Sequence, residues 1–249
     1  MRIVRYEDQG GVSWGVLDAD ETVRRASGVP FDGLTPGEPV GTLSDVRLLA
    51  PATPSKVVCV GRNYADHAAE LGNPVPEEPL IFLKPPSAIV GSGEEVRYPR
   101  ASKRVDPEAE VVIVIGRRGS NVPREDAWSL VGGYTCGNDV TARDLQKSDP
   151  QWTRGKGFDT FCPLGPWVDT EFDPSDVRVT CTVNGELRQD GRTRDFLFDI
   201  PELIEYITAF ATLEPGDLLM TGTPPGVRPV AVGDTMTVEV EGLGSLSNP

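Results

Sequence analysis

The sequence predicts a β-rich α+β fold with short helices, led by a small N-terminal β module. Three observations carry this expectation. The 249 residues include 27 glycines and 23 prolines, a turn density that suits sheets better than helical bundles. The apolar runs at residues 56–60, 80–83 and 111–115 are short, of strand length rather than helix length. The helical patterns, at residues 65–71 and 201–212, span only a few turns.

Residues 2–6 and 12–17 read as short strands, followed by a segment rich in turn formers (Gly28, Pro30, Gly33, Pro36, Gly37, Pro39). Residues 1–50 are therefore assigned to the N-terminal β module and residues 51–249 to the main body. In the main body a buried-type strand at 56–60 stops at Gly61, and the helical pattern at 65–71 is closed by Gly72 and Asn73. Strands follow at 80–83 and at 111–115, the latter ended by Gly116. Residues 123–130 read as a helix with Pro123 near its start. Residues 134–138 read as a strand and 141–146 as a short helix. Residues 177–183 and 186–188 flank Asn184-Gly185, a strong hairpin signal. Residues 201–212 space Leu203, Ile204, Ile207 and Phe210 along one helical face. The run 233–240, with Gly242 after it, closes the chain as a second hairpin.

A formal net charge of −14 argues against nucleic acid and against an anionic membrane surface as partners. It leaves a small anionic substrate open, because one site can be locally positive. Cys59, Cys136, Cys162 and Cys181 are scattered without C-x-x-C spacing, which disfavours a zinc knuckle or a redox motif and fits free thiols in a reducing compartment. The start shows no basic-then-apolar leader, and no long apolar run follows, so a soluble cytoplasmic protein is expected. No P-loop, dinucleotide fingerprint, H-E-x-x-H or G-x-S-x-G motif occurs.

Glu108 and Glu110 lead into the apolar run 111–115. Residues i and i+2 of an extended chain share a face, roughly 7 Å apart. Two carboxylates so placed repel, and a hard divalent cation would relieve them; a solvated, aggregation-blocking strand edge is the other reading. His67, the single histidine, and Glu70 share a helix face at i, i+3, as a base with its orienting carboxylate or as an ordinary exposed pair. Asp139 follows the strand 134–138, placed to join a site or to cap a helix. Lys156 lies between Gly155 and Gly157, where backbone can approach a ligand, or on a solvated loop. Lys84 ends a strand before Pro85-Pro86. Thr221-Gly222-Thr223 opens a rigid turn whose hydroxyl and N–H groups could bind an anion, or which is only a turn.

Together the segments VGRNYADHAAE, PLIFLKP, VDPEAEVVIVIG, GGYTCGNDVTARDLQ, TRGKGFDTFCPLGPW and LLMTGTPPGV, in this order from about Pro51 to the end, resemble the fumarylacetoacetate hydrolase family. Residues 1–50 are similar to the extra domain of its bacterial two-part members. The resemblance implies a mixed sheet rolled into a sandwich-like barrel, a homodimer, and Mg²⁺ or Mn²⁺ held by Glu108, Glu110 and Asp139. It implies His67 and Glu70 as the catalytic dyad with Lys156, and Lys84, Gln146 and Thr223 at the substrate. Pro107 and Ala109 depart from the family's usual neighbours of these glutamates, but a proline is compatible with the start of a strand.

The function so implied is metal-dependent cleavage beside the keto group of a small 2-oxo or β-diketo acid. The cleavage is hydrolysis or decarboxylation of an acylpyruvate or oxaloacetate, through an enolate that the cation and Lys156 stabilise. The same enolate serves the alternatives in aromatic-compound catabolism, a 2-hydroxyhepta-2,4-diene-1,7-dioate isomerase or a 5-carboxymethyl-2-oxo-hex-3-ene-1,7-dioate decarboxylase. A binding protein for metal or keto acid without turnover is a further alternative. Carboxylate oxygens too far apart to meet, or a lysine bridging them in the ion's place, would overturn the catalytic reading.

Overall fold

The computed structural model describes residues 1–249, the side chain of Asp32 excepted. Four strands open the chain: β1 (Arg2–Asp8), β2 (Gly11–Leu17), β3 (Thr22–Val29) and β4 (Asp32–Thr42). The glycine- and proline-rich segment is thus half of a hairpin. Its prolines 36 and 39 are tolerated because β4 is the edge of the sheet, where a missing N–H costs no ladder bond. After β5 (Arg47–Leu49), the central elements are β6 (Val57–Gly61), α1 (Ala65–Glu70), β7 (Leu80–Lys84), β8 (Ile89–Val90), β9 (Val105–Asp106) and β10 (Ala109–Ile115). Then come β11 (Val131–Asn138), β12 (Thr141–Ala142), α2 (Arg143–Ser148), α3 (Thr153–Lys156) and β13 (Cys162–Asp169). The chain ends with β14 (Arg178–Val183), β15 (Glu186–Arg192), α4 (Ile200–Thr208), β16 (Leu218–Met220), β17 (Met236–Val240) and β18 (Gly244–Asn248).

One large mixed sheet runs β4-β3-β2-β1-β13-β11-β10-β16-β6-β7, so the N-terminal strands extend the main sheet through the pairs Arg2↔Asp169 and Ile3↔Val168. A second sheet, β15-β14-β17-β18, packs against it. Strand β10 is buried along its whole length, which explains its unbroken apolar run. Val111, Ile113 and Ile115 face the core shared with Val179, Val238 and α4, while Val112 and Val114 face Val57, Cys59, Leu164 and Met220. The alternation puts Glu108 and Glu110 on the second of these faces.

The hairpin at Asn184-Gly185 forms as expected, with φ of 51° and 80° at its two turn residues. Three helical expectations need correction. Residues 124–130 form a 3-10 helix, in which buried Ala127 and Leu130, three apart, share one face. Thr141 and Ala142 pair with Asp106 and Val105, so α2 starts only at Arg143. Helix α4, capped by Asp199, buries Leu203, Ile204 and Ile207 but ends at Thr208; Phe210 lies beyond it and is 64% exposed. Among the described residues no helix is long and apolar enough to cross a membrane.

Candidate active site

The acidic cluster is a product of strand register. Antiparallel β10 and β11 pair Ala109 with Asn138, which sets Glu108 opposite Asp139. The Asp139 N–H donates to Glu108 O at 2.9 Å, and Glu108 N–H donates to Asn138 Oδ1 at 2.8 Å. On the other side β16 pairs Met220 with Val112, so the chain beyond it runs past Glu110. There the Gly222 N–H donates to Glu110 Oε2 at 2.8 Å, at a φ of +97° where an added Cβ would also meet Asn63. The turn read as an anion binder thus holds the protein's own carboxylate. Glu108, Glu110 and Asp139 are all buried, and one oxygen from each lies within 4.8 Å of the others.

Like charges placed this closely are costly unless compensated. Lys156 Nζ bonds Glu108 Oε2 at 2.7 Å and Asp139 Oδ2 at 2.5 Å. Arg143, also buried, joins Glu108 Oε1 to Asp106. Burial raises the Glu108 carboxyl, but Lys156 and Arg143 outweigh it and hold the group well below the usual carboxylate range. Glu110 has no cation within ion-pair reach among the described residues; burial, then Asp139 and Glu108, push its carboxyl well above the ordinary value. Burial disfavours the Lys156 ammonium, yet Asp139 and Glu108 together leave it more firmly protonated than usual.

A lysine therefore does bridge two of the three members of the expected ligand set, the arrangement set out above as overturning the catalytic reading if it took the ion's place. The bridge is incomplete. Lys156 and Arg143 serve Glu108, and Lys156 and Lys84 serve Asp139, but no cation serves Glu110. Asp139 Oδ1 also has no hydrogen bond, although Lys84 Nζ stands 2.7 Å away. The three ammonium protons of Lys84 go instead to the carbonyls of Val140 (3.0 Å), Lys156 (2.5 Å) and Phe161 (2.7 Å). One uncompensated buried carboxylate, Glu110, an Asp139 oxygen without a hydrogen bond and a donor set of oxygen alone fit a hard divalent cation.

His67 and Glu70 both project from α1, but only His67 is buried. Glu70 Oε2 lies 3.7 Å from His67 Nδ1, beyond hydrogen-bond distance, and accepts from the Gly226 N–H at 3.0 Å. Nδ1 is left without a partner. Burial lowers the imidazole pKa below its usual 6.5, against the opposing pull of Glu108. His67, Gln146, Lys156, Arg143, Thr223 and the three acids line one cleft. The Gln146 amide makes no hydrogen bond among the described residues. The Thr223 hydroxyl donates to Ala109 O (2.9 Å) and accepts from Gln189 Nε2 (2.7 Å).

Lys84, expected at the substrate, stands behind the cleft wall. Its buried ammonium is enclosed by three carbonyls and Asp139. Sequence reasoning missed Arg143, Asp106 and Gln189. Arg143 lies four residues after Asp139 at the start of a helix, and that spacing was a usable signal; Asp106 and Gln189 carried none.

The comparisons agree with this architecture. Residues 56–249 match the profile described as fumarylacetoacetate (FAA) hydrolase C-terminal, and residues 1–51 match Rv2993c-like, N-terminal. The chain is 48% identical to protein Rv2993c of Mycobacterium tuberculosis, covering 100% of this chain and 97% of that protein. It is 47% identical to the mitochondrial oxaloacetate tautomerase fahd2 of Xenopus laevis, over 83% of this chain and 69% of that one. Its fold superposes with a TM-score of 0.92 on a 5-carboxymethyl-2-hydroxymuconate delta-isomerase from Mycobacterium smegmatis, at 46% identity and covering 100% and 98% of the two chains. From its converging carboxylates to its full-length likeness in sequence and fold, the chain belongs to the fumarylacetoacetate hydrolase family.

Proposed function

We propose that this protein is a divalent-cation-dependent enzyme that enolises a small 2-oxo acid, moving a proton at the carbon beside the keto group. The observation that carries the reading is one buried cleft holding three converging carboxylates, of which Glu110 has no cation partner among the described residues, and a neutral imidazole with an unpartnered nitrogen. Glu108, Glu110 and Asp139 would hold Mg²⁺ or Mn²⁺. Bound there, the ion supplies Lewis acidity toward the substrate's keto oxygen.

The chain's own residues do the rest. With its proton on Nδ1, toward Glu70, His67 offers Nε2 as the proton acceptor, and the lowered pKa keeps it neutral at neutral pH. The Lys156 ammonium places fixed positive charge beside the cluster, where negative charge develops as the proton leaves. Gln146 presents a free amide to the substrate. Thr223, tied between Ala109 and Gln189, fixes the wall of the cleft. Arg143 and Lys84 hold Glu108 and Asp139 in place. The names tautomerase and delta-isomerase on the similar proteins above describe proton relocation of this kind, which supports the reading.

A second reading is cleavage of the adjacent C–C bond, by hydrolysis or decarboxylation. Glu70 sharing α1 with His67 favours it, because a paired base can also place a water. One assay separates the two. Oxaloacetate is supplied with Mg²⁺ to chelator-stripped protein, the enol is followed by ultraviolet absorbance, and pyruvate and CO₂ are quantified. Keto–enol equilibration without carbon loss is the expected result. Stoichiometric pyruvate would select cleavage, and no change with any keto acid would defeat both.

The Lys156 bridge makes its own prediction. Lys156→Met should destabilise chelator-treated protein by about 3–5 kcal/mol, because two buried carboxylates each lose one of their two cations. Mg²⁺ should then raise its melting temperature by more than it raises that of the wild type. Equal shifts would mean that the lysine and the ion do not draw on the same oxygens.

A further inference from the structure

The sheet pairing of the acidic strand runs out beside the glutamates. Strand β16 follows β10 only as far as Val112↔Met220, and Thr221 still reaches Val111 O. Ala109, between Glu108 and Glu110, is fully buried. The Glu108 O and N–H are taken by Asp139 and Asn138 on the β11 side, so the alternation of the strand turns the Ala109 N–H and C=O the other way. Buried backbone groups need partners, and here two side chains stand in for a strand. The Ala109 N–H donates to Gln189 Oε1 at 2.9 Å. The Thr223 hydroxyl donates to Ala109 O at 2.9 Å and accepts from Gln189 Nε2 at 2.7 Å. The three bonds close a ring at Ala109.

Gln189 comes from the other sheet. It is buried on β15, next to a register shift: Cys181 pairs with Gln189 but Thr182 with Leu187, which leaves Arg188 as the extra residue. A bulge of this kind re-aims a side chain. The second Nε2 proton of Gln189 goes to Pro224 O at 2.8 Å. The amide's orientation follows, since the Ala109 N–H can only donate and Pro224 O can only accept. The turn that Gln189 grips is also held by Asn63, whose amide donates to Thr221 O at 2.8 Å and to Phe198 O at 3.1 Å. Strand β15 lies so close to this turn that a Cβ at Gly191 would come within 2.4 Å of Pro224. The peptide planes on either side of Ala109 are thus fixed, one through its N–H and one through its C=O. They are the planes from which Glu108 and Glu110 leave the strand.

We propose that Gln189 is a positioning residue for the cation site, fixing the aim of Glu108 and Glu110 through the backbone of Ala109 and tying that aim to the second sheet. The proposal rests on the divalent-cation reading above. Gln189 does not line the cleft, so it acts on the ion only through the two glutamates. Its amide spends three hydrogen bonds on this single junction, in a core where an apolar side chain of the same size would need none.

The test is titration of Mn²⁺ into chelator-stripped protein, with free and bound ion followed by electron paramagnetic resonance. Gln189→Met keeps the volume and removes all three bonds. Val179→Ala, in the core of the same second sheet, is the control for a loss of packing without a link to the glutamates. The expected result is that Gln189→Met loses about 10–100-fold in Mn²⁺ affinity, the usual effect of removing a group that orients a metal ligand, and broadens the spectrum of the bound ion. Val179→Ala should stay within about twofold of wild type, with its spectrum unchanged, even where its melting temperature falls as far. Thr223→Val, which removes the other half of the ring, should also weaken Mn²⁺ binding about 10-fold or more, and decides the matter if the methionine form does not fold. Equal losses in Gln189→Met and Val179→Ala, or none in Gln189→Met, would overturn the proposal. Wild-type protein that binds no Mn²⁺ would instead remove the cation reading beneath it.

Discussion

Glu110→Gln is expected to abolish divalent-cation binding and cut turnover by at least about 10³-fold, while raising the melting temperature of chelator-treated protein. The two effects share one cause. Glu110 is a buried carboxyl beside Asp139 and Glu108, and burial and those neighbours push its pKa well above the ordinary 4.5. An amide of the same shape can still accept from the Gly222 N–H and carries no charge to repel its neighbours. About 1–3 kcal/mol of stabilisation is expected on relieving an uncompensated buried charge. The loss of rate is the several kcal/mol that a Lewis acid contributes.

The pH dependence has a definite sign. A carboxyl whose folded-state pKa lies above its unfolded value favours the fold while it is protonated. Metal-free wild type therefore loses stability as pH rises from 4.5 through the raised value. Glu108 acts oppositely: held low, it contributes stability above 4.5 that is lost as pH falls. Glu110→Gln should keep the acid-side loss and lack the alkaline-side one. In the wild type, cation binding should release a proton and tighten as pH rises. A variant that binds Mn²⁺ as tightly as wild type, or that melts lower without metal, contradicts this account.

His67→Gln should lower kcat by about 10²–10⁴-fold and leave cation affinity within about threefold. Burial pulls the imidazole pKa below 6.5, so the neutral form dominates at neutral pH. The wild-type kcat/KM should stay level there and fall on the acid side, through a value below 6.5. The variant should lack that limb. A collapse of metal binding in its place would make His67 a ligand, against an arrangement in which it stands apart from the three oxygens.

What was legible in the sequence follows the range of the forces involved. Glu108 and Glu110 could be placed on one face because the period of a strand is local. That Asp139 stands opposite Glu108 depends on the pairing of β10 with β11, and pairing register is set by packing across the sheet. The roles of Lys84 and Asn63 were hidden for the same reason: their partners are carbonyls 56 to 158 positions away in the chain, and a carbonyl has no sequence signature. The segment 28–39 hid a hairpin because its prolines argue against a strand unless the strand is known to be an edge. Asn184-Gly185 was readable because the turn itself demands those residues. The pairing of His67 with Glu70 was half readable: the i, i+3 spacing puts them on one face, but the Gly226 N–H that draws Glu70 aside comes from a distant loop.

The central claim is that Glu108, Glu110 and Asp139 grip one divalent ion despite the lysine between two of them. A crystal equilibrated with Mn²⁺, with anomalous scattering recorded at the manganese edge, tests this most directly. The account predicts one strong peak bounded by oxygens of all three residues, with Lys156 Nζ moved off at least one carboxylate. No peak there, with Lys156 still bonded to Glu108 and Asp139 at saturating Mn²⁺, would contradict it.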